Sequence, residues 1–262
     1  MRALHTAATG MMAQELNVQV ISNNIANMRT TGYKRQRAEF QDLLYEQVRR
    51  VGTQTSTQGN ILPVGIELGA GVKTAGTPRI MTQGTLLPTG NSLDVAIRGE
   101  GLFKIQMPDG TFTYTRDGSF QMDAQGRIVT PQGYVVQPGI TIPANATALT
   151  INTQGQVSVI PAGATTPQVL GQILLTRFVN KAGLASIGDN LFVETPASGT
   201  PQDTIPSTDG VGDLQQGNLE QANVDAVTEI SDLISAQRAY EMNSKVITAA
   251  DEMLQTTAQL MR

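Results

Sequence analysis

The chain has 262 residues, no Cys, no Trp, a single His and a formal net charge of −4. Without Cys there are no disulfides, thiol nucleophiles or cysteine zinc sites, and with only His5 there is no two-His metal motif of the H-E-x-x-H kind. Charged residues make up 15%, well under the usual share, and Thr and Gln (31 and 24 residues) take much of that space. Such a surface repels its own copies only weakly.

Residues 2–28 contain no Pro and one Gly, Gly10. Leu4, Ala7, Met11, Val18, Ile21, Ile25 and Met28, with Gln14, form a ladder spaced 3, 4, 3, 4. That spacing predicts a helix with a coiled-coil-like stripe, within an N-terminal helical segment 1–32 that a Thr-Thr-Gly break closes. Residues 33–83 differ in texture. Phe40, Leu43, Leu44 and Val48 have helical spacing, but Thr/Gln/Gly tracts follow at 52–60. This segment is expected to be a connector or extended arm that needs neighbours to order it, and local spacing leaves helix or strand open for 36–50.

Residues 84–212 alternate strand-like runs with turn signals. The runs include Leu93–Arg98, Leu102–Met107, Phe112–Arg116, Gln156–Ile160 and Val169–Val179. Asp109-Gly110 and Asp117-Gly118 read as hairpin dipeptides, and Gln125-Gly126, Gln132-Gly133 and Gln154-Gly155 as further turns. The expectation is an irregular, mostly antiparallel β domain.

Residues 213–262 return to helix. Leu219, Ala226, Leu233, Tyr240, Ile247, Leu254 and Met261 lie seven apart, with Ile230, Ile234, Val246, Ala250, Met253 and Leu260 thickening the stripe. Two such helices at the two ends of one chain predict pairing between them. The fold class is therefore α+β: N- and C-terminal helices forming a coiled-coil-like element, with the β domain inserted. A helix pair buries one stripe, so its other faces call for other subunits.

Catalytic chemistry has weak support. Asp109 and Asp117 each precede Gly, which turn chemistry explains, and Asp94 and Asp123 add no acid/base pattern. The loop 117–126 lacks the order of a calcium site, and Gly99-Glu-Gly101 has Lys104 where a phosphate cradle has its third Gly. No catalytic, cofactor-binding or metal residue is assigned, and no enzyme activity is expected. Arg29, Lys34, Arg35, Arg37, Arg49 and Arg50 are interleaved with Glu39, Asp42 and Glu46, which fits a solvated or intersubunit face better than nucleic-acid binding. No run is long and apolar enough for membrane insertion or for the core of a cleaved signal peptide.

Several segments carry a resemblance. Ser22, Asn23, Asn24, Ala26 and Asn27, followed by Gly32, Tyr33 and Lys34, match the N-terminal signature of bacterial flagellar axial proteins of the rod and hook. Gln237, Arg238, Tyr240 and Asn243, within 236–246, match the C-terminal signature, and Asn223-Val-Asp225 precedes it. Segments 91–103 and 114–120 resemble the start of the family's β domain, and segments 40–45 and 186–191, with the Thr/Gln/Gly arm, resemble the distal-rod type. Length and the single β domain are similar to the distal-rod members, with the larger proximal rod protein or a hook-type subunit as alternatives. The resemblance implies an open helical homopolymer, built from the two helical seams, that acts as a hollow drive shaft. It also implies proximal rod, hook and ring proteins (the P- and L-ring bushings) as partners, and a periplasm-spanning location reached through the flagellar type III export apparatus. From outside the family, two readings compete. A surface binding module on a coiled-coil stalk predicts a ligand site on the β domain, and a cell-wall glycan hydrolase predicts an essential Asp there. In a free monomer the apolar stripes of the termini lack partners, so those segments are expected to be disordered.

Overall fold

The computed structural model describes residues 2–50, 64–163 and 166–260. Two compact units emerge. One gathers Met1–Ile25, Gln36–Pro78 and Asp225–Arg262; the other gathers Ala26–Arg35 and Arg79–Val224.

The first unit is helical with a β arm. Helix α1 spans Arg2–Ala26, about 37 Å at 1.5 Å per residue. The arm contributes strands β1 (Glu39–Asp42), β2 (Tyr45–Arg49), β3 (Ile66–Gly69) and β4 (Val72–Gly76). β1 pairs antiparallel with β4, and β2 with β3. Residues 39–42 and 45–49 are thus extended: ladder bonds to 66–76 outweigh the helical spacing of Phe40, Leu43, Leu44 and Val48. Residues 53–60, the Thr/Gln/Gly tract, lie outside the described residues. Helix α2 spans Ala226–Leu260, about 52 Å. Its start is capped by Asp225, whose Oδ1 accepts from the backbone N–H groups of Val227 and Thr228 at 2.9 and 3.2 Å.

These bounds correct two seam positions. Met28 lies in the turn beyond α1. Leu219 lies in a strand, because the ladder of residues 218–220 is completed before the Asp225 cap starts the helix. Met261 lies outside the described residues.

The second unit is a β domain. Its strands are β5 (Leu86–Pro88), β6 (Val95–Arg98), β7 (Leu102–Gln106), β8 (Phe112–Thr115), β9 (Gln121–Met122), β10 (Ile128–Val129) and β11 (Val135–Val136). They continue with β12 (Ala146–Ile151), β13 (Gln156–Pro161), β14 (Gln168–Gln172), β15 (Leu175–Arg177) and β16 (Ala185–Gly188). The last are β17 (Leu191–Val193), β18 (Gln202–Thr204), β19 (Asp213–Gln216) and β20 (Asn218–Glu220). All pairings are antiparallel. A large sheet runs β16-β17-β8-β7-β11-β10-β9, with β15 bridging β7 and β18, and β12-β13-β14 form a separate meander. The Asp109-Gly110 turn joins β7 to β8, with the Asp109 carboxylate accepting from the Thr111 N–H at 2.9 Å. The core holds Val95, Ile97, Phe103, Ile105, Val157, Val159, Leu175 and Leu214, with Phe103 edge-on to Phe120 at 5.0 Å between centroids. The chain closes this unit late: β19 and β20 return to pair with β6 and β5.

Candidate assembly site

Within the β unit, the signature residues converge on one carboxylate. Glu220, at the end of β20, is buried. Its Oε1 accepts from the Lys34 ammonium at 2.6 Å and from the Gly84 N–H at 2.8 Å. Its Oε2 accepts from Arg116 Nε at 2.5 Å. The Arg116 fork is otherwise spent on carbonyls: Nη1 donates to Gly101 at 2.6 Å, and Nη2 to Ile97 and Gly99 at 2.9 and 2.6 Å. Lys34 also donates to the Thr82 carbonyl at 2.8 Å. Every oxygen of the buried carboxylate thus has donors, the condition under which a buried ion pair is tolerable.

Burial pushes the Glu220 carboxyl up, but Arg116 and Lys34 together hold it below the usual carboxylate range. Burial pulls the Lys34 ammonium below its usual value; Glu220 opposes this and Arg116 adds to it. The two directions are consistent: one carboxylate faces two cations, and burial costs the Lys34 ammonium more than Glu220 returns.

The surrounding signatures lock onto this clasp. Gly32 has φ +69°, and a Cβ there would lie 2.7 Å from the Asp117 backbone nitrogen. Only glycine suits that position, where the segment 31–35 lies against 116–117. The Gly32 N–H donates to the Glu220 carbonyl at 2.8 Å. Tyr33 is buried beside it. Asn190 donates to the Thr31 carbonyl at 2.9 Å. Asn223 accepts from the Arg35 N–H at 2.8 Å and donates to the Ile80 carbonyl at 2.8 Å. Asn27 accepts from Thr30 in the turn between.

In the helical unit, Asn24 has the corresponding role. It is buried, its Nδ2 donates to the Gln36 carbonyl at 2.8 Å and to Glu229 Oε2 at 3.1 Å, and its Oδ1 accepts from the Gln36 N–H at 3.0 Å. The end of α1, the start of the arm and the first turn of α2 are thereby tied together. Further along, a Cβ at Gly10 would lie 2.9 Å from Asn243 Nδ2. Positions 24 and 10 thus meet 229 and 243, so the helices run antiparallel. The close approach selects small residues: Ala7 and Ala13 are buried on α1, Ala236 and Ala250 on α2.

Not every expected seam residue faces inward. On α1, Ala7 and Ile21 are buried, and Leu4, Met11, Val18 and Ile25 are half-buried. On α2, Ala226, Leu233 and Ile247 are half-buried, whereas Ile230, Tyr240 and Leu254 are exposed. Ile234, Val246 and Met253 are also exposed. The large apolar side chains do not fit where Gly10 and Asn243 set the separation, so the structure corrects the reading that they thicken one stripe. Of the signature residues, Ser22, Asn23, Ala26, Gln237 and Arg238 are exposed, and Asn243 is half-buried.

Sequence reasoning missed Glu220 and Glu229. The available signal was slight: an acid directly after Leu219, and an acid on the inward line of α2. The carboxylates weighed for catalysis are occupied in local structure. Asp109 holds Thr111, Asp117 holds Ser119, Asp123 holds Gln125 and Arg127, and Asp94 accepts from Thr89 and Asn91. No described helix is long and apolar enough to cross a membrane.

Comparison with known proteins matches three family descriptions along the chain. Residues 4–34 match "Flagella basal body rod protein", 96–159 match "Flagellar hook protein FlgE/F/G D1 domain", and 215–260 match "Flagellar basal body rod FlgEFG protein C-terminal". The chain is 57% identical over 260 residues to the flagellar basal-body rod protein FlgG of Caulobacter vibrioides, covering 99% of each chain. It is 51% identical to the FlgG of Agrobacterium fabrum, over 97% of each chain. It is 48% identical to the FlgG of Borreliella burgdorferi, over 100% of this chain and 99% of the relative.

Proposed function

This chain belongs to the flagellar basal-body rod protein family, and on that premise we propose that it is a structural subunit of the distal rod. Copies assemble into a rigid, hollow helical shaft that carries torque from motor to hook. The observation that carries this reading is the unfinished burial of α2: Val227 is 79% exposed, Met253 64% and Met242 61%. Apolar surface of that kind on a helix pair calls for neighbours, and subunits joined by non-closing contacts build an open filament. The role is structural rather than catalytic, in keeping with carboxylates committed to turns and a clasp.

Partners under this reading are further copies of the chain, proximal rod and hook-adjacent axial proteins, the P- and L-ring proteins and the flagellar type III export apparatus. The location is the periplasm-spanning rod. The helical seams are assigned to assembly. Either Ile25→Asp or Ile247→Asp places an unpaired charge in a packed interface, and filaments that form normally in either variant would count against the seam. The β2–β3 ribbon is assigned to bridging. Its strand residues are all exposed, and an isolated two-stranded ribbon is marginal in water. Deleting residues 53–60 is expected to lower the bending stiffness of purified rods; unchanged stiffness would defeat the bridge.

The direct test is negative-stain microscopy of concentrated protein. Straight hollow filaments are expected. A compact monomer at every concentration, with no rescue of motility in a rod-deficient strain, would overturn the reading.

A further inference from the structure

Two unlike faces of the helical unit are unfilled. The first lies on α2: Arg238, Met242, Lys245, Val246 and Met253 share one side of the helix by their spacing. It is not the side that holds Glu229, Ala236 and Ala250 against α1. All five are exposed, and among the described residues neither Arg238 nor Lys245 has an ion pair. This stripe is apolar with two cations, Arg238 and Lys245, standing about 10 Å apart along the axis, and one acid, Glu252, seven residues further along the same line.

The second face is a groove of about 600 Å3 between the helices, lined by Glu15, Val18 and Gln19 of α1 and Gln237, Tyr240 and Glu241 of α2. Its lining holds two acids and no base, and among the described residues neither Glu15 nor Glu241 has an ion pair. Val18 is half-buried and Tyr240 exposed, so the groove pairs an apolar surface with acidic flanks. Glu241 and Lys245 have the spacing of an intrahelical pair, yet they do not form one here.

We propose that the α2 stripe of one copy seats in the α1–α2 groove of the next. Arg238 and Lys245 then meet Glu15 and Glu241, while Met242 and Val246 cover Val18 and Tyr240. The inference rests on the assembly reading and names one contact within it. The occupant is a second copy because the charges are complementary between two faces that the same chain carries. The contact is heterologous, since the faces differ, and it therefore leaves a free stripe at one end and a free groove at the other. Charge complementarity sets register and partner choice here, and the apolar area supplies the contact.

Charge reversal tests this. One variant carries Glu15→Lys with Glu241→Lys; the other carries Arg238→Glu with Lys245→Glu. Alone, each opposes like charges across the contact, and neither is expected to form filaments. In an equimolar mixture each reversed groove finds a reversed stripe and each stripe a groove, so mixed filaments are expected. Wild-type-like assembly of either variant alone would overturn the contact, as would a mixture of folded monomers that stays dispersed. Neutral variants guard against misfolding: Glu15→Gln with Glu241→Gln is expected to raise the critical concentration about tenfold and flatten its salt dependence. An unchanged salt dependence would also overturn it. Wild-type protein that never polymerises would sink the assembly reading itself, whereas wild-type filaments with unaffected variants would remove only this contact.

Discussion

In the β unit Phe103, Ile105, Val157, Val159 and Leu175 are wholly buried, whereas in the helical unit Met242, Val246 and Met253 stand in solvent. The β unit closes on itself: its last strands return to its first, and its buried Glu220 carboxylate has three donors. Because Glu220 lies 104 and 186 positions from its cationic partners, that closure needs nearly the whole chain. The helical unit joins two segments from opposite ends of the chain by small and polar contacts, and leaves its large apolar residues exposed. Stability in the first is intramolecular; under the proposed assembly, that of the second depends on concentration.

Substitutions can break this contrast at graded cost. Glu220→Ala strands Lys34 and Arg116 as buried cations and is expected to destabilise the β unit by about 3–5 kcal/mol, read by thermal unfolding of the monomer. If the loss is under 1 kcal/mol, on the order of a surface ion pair, the clasp has been misjudged. Acid should act on the same group. The Glu220 carboxyl is held below its ordinary value of 4.5, so its contribution is complete above that pH and is lost as pH falls through the lowered folded value. Denaturant midpoints of Glu220→Gln should therefore be less pH-dependent than wild type in that acid window. Asn24→Ala frees the Gln36 backbone groups and leaves Glu229 without its amide donor, a loss of about 1–3 kcal/mol expected in the helical unit alone. Amide exchange resolved by unit checks it: slowed or unchanged exchange at 20–25 and at Gln36 would contradict the role. The smallest monomer effect belongs to Val246→Ser, expected within about 0.5 kcal/mol of wild type in the monomer. The same variant should raise the concentration needed for filaments. A variant that destabilises the monomer yet assembles normally would reverse the assignment of that face.

Much of this contrast was legible in the sequence. Heptad spacing marked both helices, and the alternating runs at 102–107 and 112–116 with their Asp-Gly turn marked β7 and β8. The signature residues Lys34 and Asn24 were legible as a pattern but not as contacts, because their partners lie far along the chain. Glu220 left no periodic trace, since one acid in a three-residue strand has no repeat to belong to. The heptad also could not tell which apolar line of α2 faces α1. That choice is made by Gly10 against Asn243, a close approach that admits Ala236 and turns Ile230, Ile234 and Val246 outward. The spacing of Phe40, Leu43, Leu44 and Val48 pointed to helix, and only the partner strands 66–76 determine otherwise.

Hydrogen exchange, compared between dilute monomer and assembled filament, separates a self-contained β unit from a helix pair completed by neighbours. Slow exchange is expected for β7, β8 and β13 in both states, and for α1 and α2 only in the filament. Helices as strongly protected in the dilute monomer as in the filament would mean that the helix pair is complete on its own, and would contradict that expectation.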